Sequence, residues 1–76
     1  MYKLYTWYPW EFGRWVYRGE AEDKKTLLDG LSNQSRTTYK VVKDGVVEEY
    51  HEAPECFTRG RVRPKPLKVG DPDFSE

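Results

Sequence analysis

Asp44-Gly45 stands between two valine-rich runs, Tyr39-Lys40-Val41-Val42-Lys43 and Val46-Val47-Glu48-Glu49-Tyr50, and nothing else in the 76 residues restricts the fold as much. A two-residue hairpin loop matches the right-handed twist of its strands when both residues take positive φ, and Asp-Gly is a preferred pair for that turn. The turn predicts a hairpin over residues 37–51 with its register set. Lys43 then faces Val46, Val42 faces Val47, Val41 faces Glu48, Lys40 faces Glu49 and Tyr39 faces Tyr50. One side of the hairpin would carry Tyr39, Val41, Val46 and Tyr50, and the tyrosine side is the better candidate for the core.

The first seventeen residues are the most aromatic part of the chain. Residues 2–8 are strand formers, with Tyr2, Leu4, Thr6 and Tyr8 on one face and Lys3, Tyr5 and Trp7 on the other. Rings on both faces suit an interior strand whose second face is covered by the tail, by a second copy of the chain or by another partner. Pro9 and Gly13 bracket a loop that carries Trp10 and Phe12. A second strand is expected over 14–18, placing Trp15 and Tyr17 opposite Arg14, Val16 and Arg18, and ending at Gly19. Acids before lysines, with Asp23 as cap and Leu27, Leu28 and Leu31 as a narrow apolar stripe, predict a short helix over 23–32, ended near Ser32 and Asn33.

The resulting order is strand-strand-helix-strand-strand. It predicts an α+β two-layer domain over residues 1–53, a four-stranded antiparallel sheet made of two hairpins with one short helix packed on it. From Pro54 the composition turns to proline, glycine and charge, so residues 54–76 read as an extended tail, anchored if at all by Phe57 and Val62.

Lys plus Arg and Asp plus Glu both number 13, which leaves no global field to steer the chain toward nucleic acid or a membrane. One cysteine, Cys56, excludes an internal disulfide and favours the cytoplasm. No run approaches the about 20 apolar residues of a membrane helix, and the N-terminus lacks a signal-peptide pattern, so the chain reads as soluble.

No catalytic set is legible. His51 and Cys56 are the only histidine and the only thiol, too few to close a zinc site, and His51 reads as a strand surface residue opposite Thr38. No glycine-rich phosphate loop occurs. The expectation is therefore a non-catalytic binding protein with no metal and no cofactor. Trp, Tyr and Arg are enriched at interface hot spots, which selects Trp7, Trp10, Arg14 and Arg18 as partner-binding candidates. Arg59, Arg61, Arg63, Lys65 and Lys68 follow one another without an acid among them, and read either as a solvated tail or as a site for an acidic protein or for phosphates.

The strand-strand-helix-strand-strand order, the length and the aromatic first hairpin resemble the small accessory proteins of bacteriophages, many of which inhibit a host or defence protein. The resemblance covers residues 1–53 and rests on architecture alone, so no residue role is carried over. It implies a compact cytoplasmic inhibitor or adaptor, with a host or defence protein as partner. Two other readings stand beside it: a nucleic-acid-binding accessory protein using the basic tail and exposed rings, and a homo-oligomer, such as a dimer, enclosing a nucleotide-like ligand. Neutral net charge and the missing phosphate loop rank both below the first.

Overall fold

In the computed structural model, which describes residues 1–31 and 36–72, a single antiparallel sheet is built from β1 (Tyr2–Tyr8), β2 (Arg14–Ala21), β3 (Tyr39–Lys43) and β4 (Val46–His51). The strand order is β2-β1-β3-β4, so each hairpin contributes one inner strand and β1 is paired on both edges. Helix α1 (Lys24–Asp29) follows β2, and a four-residue helix α2 (Glu55–Thr58) follows β4. The fold is the expected α+β layer of four strands and one covering helix. Helix α2 interrupts the continuous extension expected of the tail, and the side chain of Phe57 lies outside the described residues.

The turn behaves as its residues require. Asp44 and Gly45 take φ of 54° and 75°, and the pairs Lys43–Val46 and Val42–Val47 form as expected. Gly45→Val should cost about 1 kcal/mol or more, because a β-branched residue is strained at positive φ. A thermal melt coinciding with that of the wild type would show that the turn tolerates a different geometry.

Beyond Val42 the expected register is corrected. A bulge shifts the pairing so that Val41 faces Glu49, Lys40 faces Tyr50 and Tyr39 faces His51. A bulge sets two residues against one and reverses which side every later residue faces. Tyr50 therefore leaves the Tyr39 side and meets Trp15, ring centroids 6.4 Å apart, while His51 packs on Tyr39 at 5.2 Å instead of facing Thr38.

A second bulge lies in β2, between the pairs Tyr5–Tyr17 and Leu4–Gly19. With Gly19 at φ 145°, the strand continues past that glycine to Ala21 rather than ending there. Trp15 and Tyr17 do lie opposite Arg14 and Val16, as alternation requires.

Helix α1 is shorter than expected. Asp23 caps it, its Oδ1 accepting the Lys25 N–H at 3.0 Å, but the helix ends at Asp29 with Gly30 as C-cap. A tight turn from the Leu31 N–H to the Leu28 carbonyl closes it. Glycine is poor in a helix interior, which puts the stop before Ser32 and Asn33, themselves outside the described residues. Leu27, Leu28 and Leu31 still reach the core, packing with Tyr2 on the buried Leu4, Tyr39 and Val41.

The opposite face of the sheet holds Tyr5, Trp7, Trp15, Tyr17, Lys40, Val42, Val47 and Tyr50. Its rings interlock edge to face, Tyr5 with Tyr17 at 5.7 Å and Trp7 with Trp15 at 5.2 Å. Lys40 is 1% exposed, with its Nζ 5.0 Å from the Tyr5 ring and 4.7 Å from that of Trp15. A desolvated cation over ring faces gains on the order of 2 kcal/mol, which helps offset burying the charge.

The tail is tied to this face at both ends. The Trp7 indole N–H donates to the Val62 carbonyl at 2.9 Å. Farther along, Gly70 donates to the Val47 carbonyl and the Val47 N–H to the Asp71 carbonyl, each at 2.8 Å, and Val46 bridges to Pro72. These bonds occupy the start of the outer edge of β4. Pro64 and Leu67, between the two ties, are half-buried, while Tyr17 near the far edge stays 51% exposed. Of the covers open to the second ring face, the tail is the one whose hydrogen bonds reach it, at Trp7 and along β4.

Candidate partner-binding surface

The loop between β1 and β2 concentrates the exposed apolar surface. Phe12 is 94% exposed and Trp10 48% exposed. The loop is a formed turn, with the Gly13 N–H donating to the Trp10 carbonyl at 3.0 Å and Glu11 and Gly13 at positive φ. Gly13 is required here for a second reason: a Cβ at this position would overlap Cζ2 of Trp7 and stand 2.8 Å from Cγ1 of Val62. The tail, the Trp7 ring and the loop backbone thus meet at one point, and the loop is presented from a braced base.

The tail also brings a cation to this place. The Arg61 guanidinium lies 4.4 Å from the Trp10 ring, and Trp7, Pro9, Trp10, Arg36, Thr38 and Arg61 line a cleft of about 180 Å³. A guanidinium held over a ring keeps its in-plane N–H groups available for a carboxylate. Below the cleft, Thr38 is buried and tied twice, its carbonyl accepting the Trp7 N–H and its Oγ1 the Ala53 N–H.

The sequence-selected residues fall in three places. Trp10 and Arg61 share the cleft, with Trp7 at its wall and its indole N–H occupied by Val62. Arg14 lies 5.2 Å from the Tyr8 ring at the same end of the sheet. Arg18 sits on the helix side, its Nε donating to Thr6 Oγ1 at 2.8 Å. In the tail, Arg63 is 3.6 Å from Glu55, and Arg59, Lys65 and Lys68 are exposed. Phe12 and Arg36 were not selected from the sequence. Phe12 carried a signal, an apolar residue at the tip of a Pro-to-Gly loop, whereas Arg36 joins the cleft through tertiary packing alone.

The titratable groups that packing perturbs belong to the core. Burial pushes the Tyr39 hydroxyl above its ordinary value and Glu49 adds to the rise. Burial does the same to Tyr50, with Glu52 contributing less. Both phenols stay protonated across the neutral range and act as packing groups. The Tyr50 hydroxyl and His51 Nε2 are buried without a hydrogen-bond partner among the described residues. Cys56 is exposed. Among the described residues no three His, Cys, Asp or Glu side chains converge as a metal would require, and no helix is long and apolar enough to cross a membrane. No known protein family, curated protein or solved structure was found to match the chain.

Proposed function

We propose that this chain is a small non-catalytic binding protein of the cytoplasm, an inhibitor or adaptor of the phage accessory kind, which occludes a partner protein with the Trp10–Phe12 loop. One observation carries the reading: Phe12 is almost wholly exposed on a braced turn, beside a half-exposed tryptophan stacked on an arginine. Leaving a large ring in water forgoes the burial that a small domain needs, and the exposure of two rings on one loop, Trp10 and Phe12, supports a contact surface at this end. Tryptophan and arginine, paired here as Trp10 and Arg61, are among the residue types enriched at interface hot spots. The partner surface complementary to this end would offer an apolar socket for Phe12 and a carboxylate for Arg61.

The test is photo-cross-linking in a bacterial lysate with benzoylphenylalanine at position 12, and at the exposed position 22 as control. A protein adduct formed from position 12, absent from position 22 and insensitive to nuclease, is the expected result. Phe12→Ala should then weaken that complex about tenfold or more. Adducts lost on nuclease treatment would replace this reading with nucleic-acid binding. Equal labelling from both positions would remove the loop as the contact.

A further inference from the structure

A larger cleft, about 580 Å³, opens on the other side of the sheet between α1 and the β1–β2 pair. Its existence follows from the bulge in β2. The shifted register places Gly19 opposite Leu4 on the side facing the helix, where a branched side chain would otherwise fill the space. The point at which a Gly19 Cβ would stand has no atom within 4 Å, and φ 145° disfavours any side chain there. The gap is thus part of the backbone design and is not a packing fault that one methyl group could repair.

The same bulge turns Arg18 toward this cleft. Its Nε donates to Oγ1 of Thr6, which is 3% exposed, so the guanidinium plane is held from a buried anchor. That bond leaves the two terminal nitrogens to act as a fork, and the Thr6 hydroxyl still has its own proton to donate. No carboxylate pairs with Arg18 among the described residues. Leu4, Leu27 and Leu31 supply the apolar part of the lining, which Thr26, Gly30 and Thr37 complete. Glu20, at the rim, pairs with Lys3 and belongs by register to the opposite face of the sheet.

We propose that this cleft binds a carboxylate that carries a short aliphatic chain. The carboxylate lies on the Arg18 fork and the Thr6 hydroxyl, and the chain lies against Leu4, Leu27 and Leu31. A volume of this order is ordinary for a small-ligand site, and the lining here is mixed, setting one guanidinium and a hydroxyl beside three leucines. One guanidinium as the single cation among the described lining residues matches a singly charged carboxylate better than a doubly charged phosphate. The carboxylate could belong to a free small molecule or to the C-terminus of a partner chain ending in an aliphatic residue. The proposal is independent of the role given to the Trp10–Phe12 loop, which lies at another part of the molecule.

Titration of the full chain with hexanoate, followed by amide and arginine Nε–H resonances, tests it. Shifts should centre on Leu4, Arg18, Gly19 and Leu31, and hexanol of equal chain length should bind at least about tenfold more weakly, since a charge-assisted hydrogen bond is lost. Arg18→Gln should bring hexanoate down to the level of hexanol. Thr26→Trp, at an exposed position on the rim, should block both ligands while leaving Arg18 and its anchor in place. An acetylated tripeptide ending in leucine, compared with its amide, separates the two sources: tighter binding than hexanoate by the acid form points to a partner's terminus, and the reverse order points to a free carboxylate. Equal binding of hexanoate and hexanol, shifts centred outside the cleft, or indifference to both substitutions would overturn the proposal.

Discussion

Deleting residues 59–76 is expected to lower the stability of the domain by about 3 kcal/mol, and with it the melting temperature by on the order of 15 °C for a chain of this size. The deletion removes the Val62 acceptor of the Trp7 indole and both bonds that hold Val47 to the tail. It also uncovers a face on which Tyr5, Val42 and Val47 are buried and on which Lys40 relies for its desolvated surroundings. Water admitted to that face would weaken the cation–ring contacts and expose the apolar surface, so dye binding to exposed hydrophobic surface should rise as the melting temperature falls. The loss should change little with salt, because the ties are backbone and indole hydrogen bonds. A tail that served only as a solvated basic arm would give the opposite outcome, an unchanged melt and a partner affinity that falls with ionic strength. Circular dichroism melts of the full and shortened chains at two salt concentrations discriminate the two.

The second large effect is expected at Gly13. Gly13→Ala should destabilise by about 2–4 kcal/mol, because it adds a steric clash to an unfavourable backbone conformation. The backbone part is shared with Gly45, since both residues have φ of 75°. The steric part is not: the added Cβ meets Trp7 and Val62 at Gly13 and open space at Gly45. Gly45→Ala is therefore the internal reference, at about 1 kcal/mol, and the difference between the two measures how closely the Trp7 ring and the tail press on the loop. The Gly13 variant should also show altered near-ultraviolet tryptophan signals, because relief of the clash has to move Trp7. Equal losses at the two glycines would mean that the loop and tail do not meet in solution as described.

Much of the fold was legible in the chain because the controlling interactions are local. The Asp44-Gly45 turn needs only its own two dihedrals, the Asp23 cap reaches two residues ahead, and the aromatic alternation of residues 2–8 marks β1 as a strand that neighbours on both edges would suit. These short-range rules led to the element order and the layer class. The candidate surface was legible in part: Trp10 and Arg61 could each be selected by residue type, but not as a stacked pair.

What only the tertiary structure decided depends on partners far away in sequence. Whether β4 absorbs an extra residue at Glu48 is set by which side Tyr50 must face to reach Trp15 on β2, a contact that spans the sheet. The bulge at Arg18, and with it the Gly19 cleft, is a compromise between pairing with β1 and packing under α1, and neither strand nor helix propensity records it. The tail is the clearest case. Residues 54–76 carry the composition of a solvated segment, yet Val62 and residues 70–72 dock, because Trp7 offers a half-buried ring whose indole donor has no partner within the sheet and the outer edge of β4 offers backbone groups with no strand beside them. Composition sums what a segment brings to its own folding. It cannot count the hydrogen-bonding groups and apolar area that a sheet already formed presents to it, and here that contribution from the rest of the molecule outweighs the entropy of ordering the tail.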